Sequence, residues 1–108
     1  MKCVFSMSVL CLLLAGLAWE VGAFSEEDLK KLKATGNCVQ CDLSGADLWS
    51  EDLSGADLTE ANLTKASLKR VNLTEANLTG ANLTDANLIR AIFCGTTMQD
   101  GTTDNSGC

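Results

Sequence analysis

The sequence predicts an all-β solenoid built of short square coils, and three observations carry this prediction. A leucine returns at every fifth residue from Leu43 to Leu88, and Phe93 takes the next place. Alanine usually stands two residues before this position, and Asp or Asn stands directly before it. A spacing of five fits neither an α-helix, around which the leucines would spiral, nor a straight strand, on which they would alternate between faces. If the chain turns by about 90° at each repeat, every leucine points to one axis and four repeats close one coil.

The first 23 residues differ in composition from the rest of the chain. Lys2 precedes an almost wholly apolar run from Val4 to Trp19, and Val21 and Ala23 are small residues at the positions that a signal peptidase reads. This pattern predicts a secretory signal peptide, residues 1–23, cleaved after Ala23, and hence a secreted or periplasmic protein that does not contact the membrane after cleavage. The alternative is a membrane anchor, which needs a longer apolar run of roughly 20 residues.

The remaining residues, 24–108, form a single acidic domain with thirteen Asp and Glu, seven Lys and Arg, and no His. The lack of His removes the commonest general base and the commonest metal ligand, so we predict a protein that is not an enzyme and holds no cofactor or metal. The excess of acidic residues argues against binding to nucleic acid phosphates. We expect a monomer.

Residues 24–37 are predicted to form an N-terminal capping helix. Ser25 stands at the N-cap position, and Asp28 three residues later completes a variant of the capping box. Leu29 and Leu32 are then placed to cover the first coil of the solenoid, whose end would otherwise expose apolar core. A charged amphipathic helix can also bind a membrane or a partner groove, but two leucines make a small apolar face.

Residues 38–95 are predicted to form the solenoid itself. Eleven repeats at four per coil make just under three coils. The leucine and the residue two before it should point inward, and the narrow interior explains why the second of these is usually alanine. Val71 and Glu51 break the alanine pattern. Because a buried, unpaired carboxylate is costly, we expect Glu51 either to reach the open end of the first coil or to lie in a backbone bulge.

The repeated register resembles that of the pentapeptide-repeat family. It is carried by Ala46-Asp47-Leu48, Ala56-Asp57-Leu58, Ala61-Asn62-Leu63 and Ala76-Asn77-Leu78, among others. The cysteine-containing flanks, 38–43 before the repeats and 93–98 after them, resemble those of small exported bacterial members that are common in cyanobacteria. The resemblance implies a right-handed quadrilateral β-helix, and most such members have no assigned activity.

Four cysteines, two on each side of the repeats, remain after the predicted signal peptide. Cys38 and Cys41 precede the repeats, whereas Cys94 and Cys108 follow them, so the two pairs sit at opposite ends of the solenoid and local pairing of each is favoured. The second pair would close residues 96–108 into a disulfide-bonded tail. The alternatives are a redox-active Cys-x-x-Cys motif and a zinc site that uses all four cysteines.

One outward column departs from the polar pattern of the other faces. Taking every fourth repeat places Trp49, Lys69 and Ile89 in one column, with Arg70 and Arg90 beside it. This face is basic and partly apolar on an acidic protein. It is interpreted either as a row of tolerant positions or as a contact surface for an unknown protein or an anionic polymer.

The function that the sequence favours is an exported, non-enzymatic structural or protein-interaction module. One alternative comes from family members that imitate DNA, because an acidic square tower could act on a DNA-binding enzyme such as gyrase; it requires a cytosolic protein and a longer tower. A second alternative is a small thiol-redox or metal-binding protein that works through Cys38 and Cys41. No set of residues with the pattern of a nucleophile and its base is found.

Overall fold

The structure, a computed structural model, describes residues 24–108, so the predicted signal peptide lies outside the described residues. Its regular elements are one helix, α1 (Glu26–Thr35), and two short strands, β1 (Thr96–Thr97) and β2 (Thr103–Asp104). Between α1 and β1 the chain is a succession of turns joined by single-residue bridges. No helix in the described part of the chain has the length and apolar character needed to cross a membrane.

Helix α1 begins and ends at the residues that favour helix termini. The Ser25 side chain accepts a hydrogen bond from the Asp28 backbone N–H, 3.2 Å away, and Gly36 ends the helix in the left-handed conformation with φ of 77°. The return half of a capping box is absent at this N-terminus, because the Ser25 N–H donates to the Asp42 carbonyl at 3.0 Å. The Asp28 carboxylate accepts instead from the backbone N–H of Asp42 at 2.8 Å. Asp28 therefore ties the helix to the solenoid, and the capping-box expectation is wrong in that half.

The solenoid is held together by parallel bridges between residues 20 positions apart. The ladder begins with Asn37 bridged to Asp57 and ends with Asn77 bridged to Thr97, so four repeats make one coil as the spacing of five predicts. Each side of the square has too few extended residues between its turns for a continuous strand, which explains why the bridges are isolated. The register extends beyond the leucines at both ends, since Cys38 and Met98 also occupy the leucine position.

The core is a single column of inward side chains. The leucines at 43, 48, 58, 63, 68, 73 and 78 are completely buried, and the alanines at 46, 61 and 66 lie between them. Leu32 of α1 joins this cluster with 1% of its surface exposed, and Phe24 and Leu29 pack against it. At the other end, Leu83, Leu88 and Phe93 are only half-buried. The N-terminal coil is therefore covered, whereas the C-terminal coil leaves part of its core exposed.

Each corner of the square is a tight turn whose third residue has a positive φ. The alanine N–H donates to the carbonyl oxygen of the preceding leucine, as from Ala61 to Leu58 at 3.0 Å. The corner residue between them lies in the left-handed region, with φ of 59° at Glu60 and 74° at Gly55. This conformation marks a type II turn and favours glycine, yet eight of the fourteen described residues with positive φ are not glycine. The fold thus accepts a local backbone cost at many of its corners.

The Asp or Asn before most of the leucines stabilises the same turn from outside. Its Oδ1 atom accepts from the backbone N–H two residues later, and where that residue is Ser or Thr it also accepts from the hydroxyl. At Asn72, for example, the two bonds come from the N–H and the hydroxyl of Thr74, at 3.0 and 2.6 Å. The repeated acidic and amide residues are therefore structural parts of the turn, which is why they recur in register.

Candidate functional site

The five residues of the unusual outward column line one shallow groove of about 390 Å³, here called the basic groove: Trp49, Lys69, Arg70, Ile89 and Arg90. Its floor is held by bonds between coils, from Ser50 N–H to the Lys69 carbonyl at 2.9 Å and from Arg70 N–H to the Ile89 carbonyl at 3.0 Å. The sequence-predicted residues are thus brought together in space.

The apolar walls of the basic groove are unusually accessible. Trp49 exposes 55% of its surface and Ile89 exposes 59%, whereas Lys69 between them in the column is half-buried. The indole ring and the aliphatic side chain therefore flank a cation. Trp and Arg are the residue types most enriched where proteins bind partners, because they combine a large contact area with polar groups.

The face that carries the groove lacks the hydroxyl that stabilises the turns elsewhere. On the other faces the residue after the leucine is usually Ser or Thr, which donates to the preceding Asp or Asn. On the groove face Trp49 and Ile89 occupy this position, and only their backbone N–H groups donate, to Asp47 and Asn87 at 3.1 Å each. The groove face therefore has large side chains at this position and lacks the hydroxyl hydrogen bond that stabilises the turns of the other faces.

The cations of the basic groove have no acidic partner within the described residues. The salt bridge found in residues 24–108 joins Lys33 of α1 to Glu51, 3.6 Å apart, and involves none of the groove residues. Lys69, Arg70 and Arg90 are therefore available for an external anion. On a chain with a net charge of −6, this makes the groove a local positive patch.

Glu51 lies beside α1, although its place in the repeat is an inward one. Its side chain is 39% exposed and faces Lys33, while Val71 in the same column one coil later is completely buried. The charged group of Glu51 thus remains in contact with water at the N-terminal coil, and its backbone still makes the usual turn, with its N–H 3.1 Å from the Leu48 carbonyl.

The four cysteines of residues 24–108 lie at disulfide distance as two local pairs. Cys38 and Cys41 have Cα atoms 5.2 Å apart, and Cys94 and Cys108 have Cα atoms 4.8 Å apart. Cys38 and Cys41 are buried because they take the leucine and alanine positions of the first repeat. Within the described residues no group of three or more His, Cys, Asp or Glu side chains could hold a metal ion.

Within residues 24–108, three carboxylates have a lowered pKa, and all three lie outside the groove. The Ser54 hydroxyl, and then its backbone N–H, lower the pKa of Asp52 by hydrogen bonding to the charged form. Thr102 lowers the pKa of Asp100 in the same way, and Ser106 lowers that of Asp104. These shifts come from turn hydrogen bonds in exposed positions, and they supply no general acid.

Comparison with known proteins agrees with this geometry. The family model for pentapeptide repeats matches eight copies over residues 37–74 and 61–100, and no curated protein matches the chain. HetL, a pentapeptide repeat protein involved in heterocyst differentiation regulation from the cyanobacterium Nostoc sp. strain PCC 7120, is 38% identical with a TM-score of 0.56, over 57% of this chain and 30% of HetL. Rfr23 from the cyanobacterium Cyanothece 51142 is 40% identical with a TM-score of 0.38, over 51% of this chain and 41% of Rfr23.

The matched residues cover more than half of the chain, and they coincide with the ladder of bridges between Asn37 and Thr97. The chain spans less than half the length of the two cyanobacterial proteins. Proteins of this kind form right-handed quadrilateral β-helices and generally serve as non-enzymatic structural or interaction modules. The chain therefore belongs to the pentapeptide-repeat family.

Proposed function

We propose that the protein is an exported, non-enzymatic interaction module that binds an anionic partner in the basic groove. The solenoid is the rigid scaffold, α1 covers its N-terminal coil, and the basic groove is the binding surface. One observation carries the proposal: three cations without acidic partners in the described chain flank two exposed apolar side chains on the face that lacks the turn hydroxyl. A rigid surface of this kind binds with little loss of side-chain and loop freedom.

Export is supported by the composition of residues 1–23 and by the cysteines. Disulfides persist in oxidising compartments, and both cysteine pairs of the described chain lie at bonding geometry. They also occupy positions where a covalent link is useful, at the first inward corner and across the C-terminal tail.

The alternatives fit the surface less well. A duplex mimic should present negative charge along its length, and the basic groove interrupts that charge on one face. A thiol-redox protein needs an accessible sulfur, but Cys38 exposes 0% and Cys41 exposes 3% of their surface. A four-cysteine zinc site would have to join two pairs that lie at opposite ends of the solenoid.

The test is binding of fluorescein-labelled poly-L-glutamate to the oxidised full chain, followed by fluorescence anisotropy at several salt concentrations. We expect the double variant Arg70→Glu, Arg90→Glu to bind about tenfold or more weakly, because two favourable charges become repulsive. The matched control is Lys31→Glu, Lys65→Glu, which reaches the same net charge by changes on α1 and on another face. Equal losses in the two double variants, or no binding by the parent chain, would refute the proposal.

A further inference from the structure

Coils of this solenoid exchange hydrogen bonds by a fixed rule. The N–H of each leucine and the N–H two residues later donate to the next coil, as from Leu43 to the Asn62 carbonyl and from Gly45 to the Thr64 carbonyl, both at 2.8 Å. The carbonyl oxygen of the inward small residue accepts from the next coil, as Cys41 accepts from the Asn62 N–H at 2.8 Å. Each repeat therefore offers two backbone N–H donors and one carbonyl acceptor to the coil that follows it.

All three bonds of this rule are missing on two adjacent sides of the last coil, and on the next side the Phe93 N–H and the Ala91 carbonyl also lack a backbone partner within the described residues. We call residues 81–91 the open edge. Its free groups within the described residues are the N–H groups of Leu83, Asp85, Leu88 and Arg90 and the carbonyl oxygens of Ala81, Ala86 and Ala91. The inward side chains of this segment are also less buried: Leu83 and Leu88 are half-buried, whereas Leu63 and Leu68, one coil below, expose nothing.

The C-terminal segment covers the other two sides of the same coil. Leu78 N–H donates to the Thr97 carbonyl at 2.8 Å, and Gly107 N–H donates to the Phe93 carbonyl at 2.7 Å. The tail then folds back as β1 and β2, with Thr96 opposite Asp104. It occupies the space above residues 78 and 93 and leaves the open edge between them uncovered.

The open edge ends in the basic groove, because Ile89 and Arg90 belong to both. We propose that an extended acidic polypeptide segment of a partner pairs with the open edge as a partial further coil and places its acidic side chains against Arg90 and the neighbouring Lys69. This inference rests on the proposed function and specifies its partner. The segment would bury Leu83 and Leu88 and satisfy the free backbone groups by strand addition.

The alternation of donors and acceptors identifies the partner as a polypeptide. An anionic polysaccharide or a nucleic acid could satisfy the cations, but it has no backbone N–H that repeats in step with Ala81, Ala86 and Ala91. A second copy of the chain fits less well, because pairing two open edges would bring together two chains that each carry a net charge of −6.

The experiment uses a fluorescein-labelled decapeptide of two Asp-Leu-Glu-Glu-Ala units, which continues the repeat with acidic outward positions. By the bonding rule, the Asp N–H groups of this peptide face the open edge, whereas its Leu N–H groups face away from the protein. N-methylation of both Asp residues should weaken binding to the oxidised full chain about tenfold or more, and N-methylation of both Leu residues should change it less than about threefold. Hydrogen exchange should slow at the amides of Leu83, Asp85, Leu88 and Arg90.

The outcomes separate this inference from the proposed function. If both methylated peptides bind alike and Arg90→Glu still weakens them, the open edge takes no part and only the groove binds. Binding of poly-L-glutamate without binding of the decapeptide overturns the edge pairing in the same way. If the chain alone forms a dimer in sedimentation velocity and the four amides are already protected, the occupant is a second copy and the inference is wrong. If neither probe binds, the proposed function fails as well.

Discussion

Gly55 and Gly80 occupy equivalent corner positions on different faces, and replacing each with alanine separates two physical costs. Gly55 has φ of 74°, and a Cβ atom added there meets nothing within 4 Å. The left-handed conformation costs an L-residue about 1–2 kcal/mol, and alanine recovers about 0.4–1 kcal/mol by restricting the unfolded chain. We therefore expect Gly55→Ala to lower the free energy of unfolding by about 1 kcal/mol, from the backbone alone.

Gly80 adds a contact to the same backbone cost. Its φ is 71°, and an added Cβ atom would lie 3.0 Å from Cγ of Glu60, whose carboxylate accepts a hydrogen bond from the Gln40 side chain at 2.9 Å. The Glu60 side chain must move, and the loss of that exposed hydrogen bond costs about 0.5–1 kcal/mol. Gly80→Ala should therefore lower the free energy of unfolding by about 1.5–2 kcal/mol.

The assay is urea unfolding of the oxidised full chain, with each glycine variant also made in a Glu60→Ala background. Removing Cγ of Glu60 should bring Gly80→Ala back to the cost of Gly55→Ala, while the Gly55→Ala value should not change. An excess cost of Gly80→Ala that persists without the Glu60 side chain would refute the contact. A Gly55→Ala variant as stable as the parent would refute the backbone cost.

Three further predictions follow from burial and hydrogen bonding. Leu58→Ala should lower the free energy of unfolding by about 3 kcal/mol, and Leu88→Ala should lower it by clearly less, because Leu58 is completely buried and Leu88 is only half-buried. Equal losses in urea unfolding would contradict the open edge. Glu51→Ala should change the free energy of unfolding by less than about 1 kcal/mol, since the ion pair of Glu51 with Lys33 is exposed. The variant should also show a smaller salt dependence of unfolding. A larger loss of stability would contradict the exposed ion pair. Ser54→Ala should raise the pKa of Asp52 in an NMR titration. The parent should lose the contribution of Asp52 to stability as pH falls through that lowered pKa, and an unchanged pKa would contradict the hydrogen-bond cause.

The sequence predicts the interior of this fold well because one rule covers most inward positions. Leucine must fill the axis from four sides, and alanine must fit between the leucines, so the spacing alone identifies the buried residues such as Leu63 and Ala66. The same rule could have placed Cys38 and Cys41 in the core. Cys38 stands five residues before Leu43 and Cys41 stands two before it, which are the leucine and alanine positions.

The backbone of the corners could not be predicted from residue type. Arg70 and Glu60 adopt positive φ although neither residue favours it, because closure of the square and the bonds between coils determine the corner conformation. The basic groove could be predicted because the period of 20 aligns its residues. The open edge could not, since it depends on where the tail folds, and the tail has no repeat from which its path can be read.

The bridges between residues 20 apart give the solenoid a strict angular order along its length. Insertion of a single five-residue unit between Ser50 and Lys69 would leave every leucine pointing to the axis, and the core would be unharmed. The same insertion would rotate Trp49 by a quarter turn relative to Lys69 and Ile89, so the groove would be dismantled. Only an insertion of a whole coil keeps these residues on one face of the solenoid. Duplication of a segment whose length is not a whole coil can therefore change the binding surface while it leaves the leucine core intact.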